Sequence, residues 1–233
     1  MHLRNVFLAI FALAMVAYCQ SPAVLDGPFQ VRYAANLQNT NGLDSFVDVT
    51  NDGSNGAPLL GPGLGNSAGI GNLCVNVYVV DPGEELLACC SCLITPDQTE
   101  SWTVKGQLLS KTLTGEQPDS VTIKLIGSNP GTAATVGGTS CANSAATLGT
   151  TVTGTFTGVS TVATAIGGYV AFGTTIHAQG ASFVTTETPF LPVTLSSAEL
   201  ISLTGRCATI IGNGTTFGQC PGCTASAQGG LKQ

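Results

Sequence analysis

The sequence predicts an all-β protein: an antiparallel β-sandwich or barrel, stapled by disulfides and carrying one C-terminal helix. Three observations lead there. Short runs alternating apolar and polar residues recur between clusters of Gly, Pro and Asn, the pattern of strands joined by turns. No helical pattern separates those runs, so the βαβ alternation of a parallel sheet is missing. Eight of the nine cysteines lie beyond a leader-like N-terminus, an even number suited to full pairing in an oxidising compartment.

The leader is "MHLRNVFLAIFALAMVAYCQSP". Arg4 supplies a positive start, and Val6 to Ala17 is apolar. About a dozen apolar residues fall short of the about 20 that a spanning helix needs. Ala17 and Cys19 sit suitably for cleavage before Gln20, so residues 1–19 read as a secretory signal peptide. Two alternatives are a retained anchor and a lipoprotein acylated at Cys19, although bulky Tyr18 precedes that cysteine. No second apolar run reaches spanning length, so no membrane insertion is expected after cleavage. Residues 20–195 are then expected to form the sandwich domain. Residues 196–233 supply the helix and a cysteine-containing tail packed on the same domain.

In "GPFQVRYAANLQ", Phe29, Val31 and Tyr33 alternate with Gln30, Arg32 and Ala34, a half-buried strand. Ser45 to Thr50 is a second strand, ended by the turn formers of "NDGSNG". Residues 56–72, dense in Gly and Pro, read as a loop. "LCVNVYVV", "DPGE" and "ELLACCSCLI" form a hairpin, with Pro82 presetting φ and Gly83 accommodating φ > 0. "ESWTVKGQLLS" and "DSVTIKLIG" continue as strands, the latter with Val121, Ile123 and Leu125 inward and Thr122 and Lys124 outward. "TTVTGTFTGVSTVATAIGGYVAFGTTIHAQ" adds two to four more. In "LSSAELISLTGRCATIIGNG", Ser196 and Glu199 make a capping box, and Leu200, Leu203, Cys207 and Ile210 or Ile211 share one helix face. Cys207 on that face is expected to tie the helix to the sheet.

The expected disulfide cysteines are Cys74, Cys89, Cys90, Cys92, Cys141, Cys207, Cys220 and Cys223. Successive strand residues face opposite ways. Cys89 therefore points away from Cys90 and Cys92, and the vicinal cysteines seek separate partners. Cys74, in the other arm of the hairpin, is a candidate partner for one of them. Cys220 and Cys223 would clasp the tail onto the sheet or bond locally. Zinc held by "CCSC" and "CPGC", or redox chemistry at "CPGC", would suit reduced thiols better than exported ones.

Charged residues are 9% of the chain, against about 25% in ordinary soluble domains. Without residues 1–19 the chain keeps 13 acids against six bases, a net charge near −7. Such a surface offers phosphates nothing, which excludes a nucleic-acid partner and disfavours anionic membranes. No phosphate loop, serine elbow or zinc-protease motif occurs. His177 reads as a structural or rim residue, and Asp81, Glu84 and Glu85 as solvated charge at a turn, so no catalytic residue and no cofactor are expected. Asp48, Thr50 and Asp52 match the opening of a calcium loop, but Leu59 stands where its bidentate acid belongs. Asn213 in "NGT" fits a glycosylation sequon.

"NLCVNVYVVDPGEELLACCSC", "FGTTIHA", "TETPFLPVTLSSAELISLTGRC" and "NGTTFGQCPGC" together resemble a group of secreted bacterial proteins with no established activity. The resemblance implies export and carries over no catalytic or binding residue. The low-charge surface, the staples and the missing catalytic set point to an extracellular, non-enzymatic structural or adhesive role at the cell surface. Self-assembly through sheet edges is expected there, with Gln20 to Leu37 as a strand that could be donated to a neighbour. The alternatives are a carbohydrate- or ligand-binding module, calcium-assisted, with Trp102 and Tyr78 as stacking faces, and a hydrolase with an unrecognised site. Partners would be further copies of the chain or a surface glycan.

Overall fold

Among the described residues, nine strands build two antiparallel sheets, with one helix laid on the outside of the larger sheet. The computed structural model describes residues 25–38, 42–57, 69–130, 141 and 165–220. The strands are β1 (Phe29–Ala34), β2 (Phe46–Asn51), β3 (Leu73–Val80), β4 (Leu86–Ile94), β5 (Thr99–Thr103), β6 (Val121–Ser128), β7 (Tyr169–Gln179), β8 (Ser182–Pro189) and β9 (Leu191–Pro192). The helix α1 is Ser197–Gly212. One sheet has the order β4-β3-β6-β1-β9 and the other β5-β2-β7-β8. Of the sandwich or barrel expected, the molecule is sandwich-like.

The five-stranded sheet is covered on both faces, which explains why "LCVNVYVV" reads as almost continuously apolar and is buried throughout. Leu73, Val75, Val77 and Val79 join Val47, Val49 and Trp102 in the core between the sheets. Tyr78 and Val80 point the other way, into a second cluster with Leu200, Leu203, Cys207 and Ile210 of α1. β6 follows its expected alternation: Val121, Ile123 and Leu125 face the inter-sheet core, while Lys124 reaches towards α1.

The β3–β4 hairpin forms as expected, but its left-handed residue differs. Gly83 has no positive φ; Glu84 does, at 68°. The Glu84 N–H donates to the Asp81 carbonyl (3.1 Å), and the Asp81 N–H donates to the Glu85 carbonyl (3.0 Å). A turn followed by one left-handed residue is a standard hairpin solution. Next to it, Leu87 bulges out of register between Val79 and Val80.

Four further readings need correction. β1 buries Gln30, Arg32 and Ala34 as well as Phe29, and leaves Tyr33 exposed. The reason is that the face carrying Gln30, Arg32 and Ala34 is the one turned towards the other sheet, whereas the outer face is buried only at Phe29, in the cluster beneath α1. β1 is also hydrogen-bonded between β6 and β9, so these residues complete their own sheet and are not free for donation to a neighbour. The strand expected through "TVKGQLL" stops at Thr103, and Val104–Leu108 forms a single π-helical turn. Asp44 holds that turn by accepting the N–H groups of Lys105 (2.9 Å) and Gly106 (2.8 Å). Finally, β8 and β9 were not among the strands expected. Residues 131–140 and 142–164, the latter including the first half of the stretch expected to supply two to four more strands, lie outside the described residues, as does the leader.

The helix begins at Ser196, whose Oγ accepts the Glu199 N–H at 3.1 Å. The return half of the capping box goes elsewhere. The Glu199 carboxylate takes the Lys124 ammonium at 2.5 Å, pinning the first turn of α1 to β6.

Candidate functional site

The three clustered cysteines of β4 separate by face, as strand geometry requires. Cys89 lies in the cluster beneath α1, whereas Cys90 and Cys92 lie in the inter-sheet core. Cys89 is bonded to Cys207 of α1 with Cα atoms 5.9 Å apart, so the helix is tied to the sheet as expected. Cys90 is bonded to Cys220 across 5.5 Å, which clasps the tail onto the sheet. Cys74 does not pair within the hairpin; it is bonded to Cys141 across 5.7 Å. In register Cys74 stands opposite Leu93, so no hairpin cysteine is placed to meet it. Cys92 is disulfide-bonded as well, and Cys223 lies outside the described residues.

These bonds give the segment from Cys207 to Cys220 a particular path. It leaves α1 on the outer face, rounds the free edge of β4 and enters the inter-sheet core. On the way, the Gly218 carbonyl accepts the Cys89 N–H at 2.8 Å, and Gln219 forms a parallel bridge to Cys89. Leu113 donates to the Leu87 carbonyl on the same edge (3.0 Å). The β4 edge is therefore partly covered and less able to template another strand.

At the opposite end of the sandwich lies Arg32, almost fully buried. Its guanidinium donates to the Thr188 carbonyl (2.8 Å), to Thr188 Oγ1 and to Thr175 Oγ1 (2.7 Å), and its Cζ lies 6.0 Å from the Phe190 ring centre. Gly173 makes the room: a Cβ there would fall 2.4 Å from Arg32 Nε. Burial lowers the pKa of Arg32, and the nearby Glu187 carboxylate opposes that shift. The hydrogen bonds all go to neutral oxygens of β7 and β8, so Arg32 ties the root of that hairpin to the other sheet.

Beyond this root the β7–β8 hairpin projects. All of β8 is exposed except the half-buried Phe183, and His177 to Gln179 of β7 are exposed too. His177 sits in this arm opposite Val184. The arm carries a threonine-rich surface with Glu187 as the only charged residue of β8.

The other candidate residues are dispersed. Asp48 and Thr50 lie on β2, where Asp48 accepts the Ser101 hydroxyl and Thr50 shares a hydrogen bond with Thr99 (2.7 Å). Asp52 follows the strand and accepts the Ser54 N–H at 2.8 Å. Each is engaged in a strand contact or a turn, and among the described residues no group of three His, Cys, Asp or Glu side chains is gathered as metal ligands would be. Asp81 organises the hairpin turn by accepting the Glu85 N–H (2.8 Å), while Glu84 and Glu85 are exposed there. Trp102 and Tyr78 are 1% and 0% exposed, so neither offers a face to a sugar. Asn213 caps α1, and its Oδ1 accepts from Thr215 N (2.8 Å) and Oγ1 (2.7 Å). No helix among the described residues is long and apolar enough to cross a membrane.

Sequence reasoning included β7 among the expected strands but missed β8, and with it the arm. Its signal was present in "AQGASFVTTET": a Gly-containing two-residue loop between runs rich in β-branched residues. Comparisons of the chain with protein-family models, curated proteins and solved structures find no match.

Proposed function

We propose that this protein is an exported, non-enzymatic structural or adhesive component of the cell surface, self-associating through sheet edges. The observation that carries the reading is the projecting β7–β8 arm, nearly uncharged and with β8 exposed except at half-buried Phe183, on a sandwich stapled by disulfides. Like charges do not hold such a surface apart, and among the described residues no strand pairs with its outer edge. Support for export comes from the leader-like residues 1–19, from the resemblance to secreted bacterial proteins, and from disulfides that fit an extracellular, oxidising setting.

The test is to follow the full-length chain in its native cell with an antibody. The expected result is chain lacking residues 1–19, with blocked thiols, removable from intact cells by external protease. Reduced chain recovered only from the cell interior, or purified oxidised protein that binds neither cells nor abiotic surfaces, would overturn the reading.

A further inference from the structure

The structure assigns the outer edge of β8 as a docking strand for the β8 of a second copy, joining two four-stranded sheets into one of eight strands. This deepens the self-associating reading above and rests on it. The turn fixes the direction of the backbone groups along β8. β7 and β8 are joined by the two-residue loop Gly180-Ala181, with Gly180 at φ 62° and Gln179 opposite Ser182. The pair that closes a two-residue hairpin exchanges hydrogen bonds, and bonding then alternates along the strands. The even-numbered residues Ser182, Val184, Thr186 and Thr188 therefore face β7.

The far end confirms the parity, because Phe190 donates its N–H to the Ala171 carbonyl at 2.8 Å. The odd-numbered residues point the other way. After the chain crosses into the larger sheet, that outward row is used by β1: Leu191 pairs with Val31, and Val193 donates to the Phe29 carbonyl (3.0 Å). At Phe183, Thr185 and Glu187 the same row meets no strand among the described residues.

A row of open backbone groups on an exposed strand is a template for another strand. The other ends of the two sheets present less. β4 is partly covered, β9 has two residues with Pro192 among them, and β5 has five residues leading into the π-helical turn.

The register selects the occupant. Two antiparallel copies of β8 related by a two-fold axis at Thr185 place Thr185 against Thr185, and Phe183 against Glu187 on both sides. All three outward residues then meet outward residues, and each of these close pairs exchanges two hydrogen bonds. Val184, 41% exposed, lies beside Thr186 of the second copy. The only charge on the strand faces an aromatic ring rather than its own duplicate, so like charges are not opposed. Pro189 lacks an N–H and stands opposite the turn residue Ala181, where pairing has already ended. The contact is isologous and closes on itself, giving a dimer rather than a filament. An interface of one strand edge is below the standard size, so the dimer is expected to be weak.

Sedimentation velocity on the full, oxidised chain from about 1 μM to about 1 mM reads the equilibrium directly. Thr185→Pro removes the central outward N–H while leaving the ladder to β7 intact, since proline is tolerated on the open side of an edge strand. The wild type is expected to form dimers at the upper concentrations. Thr185→Pro should weaken dimerisation by about tenfold or more, through loss of one hydrogen bond from each copy, with an unchanged melting temperature. Thr185→Lys, which sets two ammonium groups face to face, does the same and replaces the proline variant if that one misfolds. In the wild-type dimer the amides of Phe183, Thr185 and Glu187 should exchange more slowly than in the monomer.

A wild type that stays monomeric throughout, or a dimer that both variants leave unchanged, would overturn the β8 assignment. Self-association that persists in both variants leaves the structural reading standing on another edge. A β8 dimer that binds no cell or abiotic surface removes the adhesive reading and keeps this one.

Discussion

Glu84 holds a left-handed conformation that an L-residue with a Cβ adopts at a cost of about 1 kcal/mol or more, while glycine adopts it freely. Its side chain is exposed, and what α1 uses is its carbonyl, which accepts Arg206 Nη1 at 2.6 Å. Glu84→Gly keeps that carbonyl and is expected to raise stability by about 0.5–1 kcal/mol in urea unfolding. Glu100, on β5, presents the opposite case. Burial raises the pKa of its carboxyl, against the hydrogen bond from Gln98. A carboxyl with a folded-state pKa above its unfolded value favours folding when protonated. That contribution is present below the unfolded pKa and is lost as pH rises through the folded one. At neutral pH the ionised Glu100 therefore works against the fold. Glu100→Gln should raise the melting temperature near pH 7 and change it little well below the carboxylate range, near pH 3. Equal shifts at both pH values would show that charge is not the cause.

At the scale of elements, the β7–β8 arm depends on its root. Arg32 is the buried cation that joins β1 of one sheet to Thr175 and Thr188 of the other. Removing it leaves the Thr188 carbonyl and two hydroxyls to find other donors. Arg32→Ala is expected to cost about 2–3 kcal/mol, because hydrogen bonds from a charged donor contribute more than neutral ones. Amide exchange should quicken first at the β7–β8 pairs nearest Arg32, with the β3–β4 pairs protected until global unfolding. An effect spread evenly over both sheets would point to a general packing role instead.

For the molecule as a whole, covalent links take on part of what ion pairs and a larger core supply elsewhere. The Cys89–Cys207 bond closes a separation of 118 residues and the Cys90–Cys220 bond one of 130, from neighbouring positions on one strand. Together they hold the helix and the tail on the two faces of β4. Replacing Cys89 and Cys207 with serine is expected to lower stability by about 2–4 kcal/mol, read by chemical denaturation under non-reducing conditions. Full reduction of the wild type should drop the melting temperature sharply, and an unchanged melt would remove disulfides from the account of stability.

The class of fold, the hairpin "LCVNVYVVDPGEELLACCSC", the Ser196 cap and buried face of α1, and the facing of Cys89 against Cys90 and Cys92 were all legible in the order of the residues. These are local consequences of periodicity, turn chemistry and the two-residue repeat of a strand. Which cysteine meets which depends on how distant elements dock, and it took the packed fold to send Cys74 to Cys141 rather than into its own hairpin. The burial of Gln30 and Arg32 was equally out of reach, because an alternating strand does not say which of its two faces another sheet will cover. The projecting arm completes the contrast: its strand signal is local, but that β8 stands at a sheet edge with no further strand beside it among the described residues follows only from the strand order.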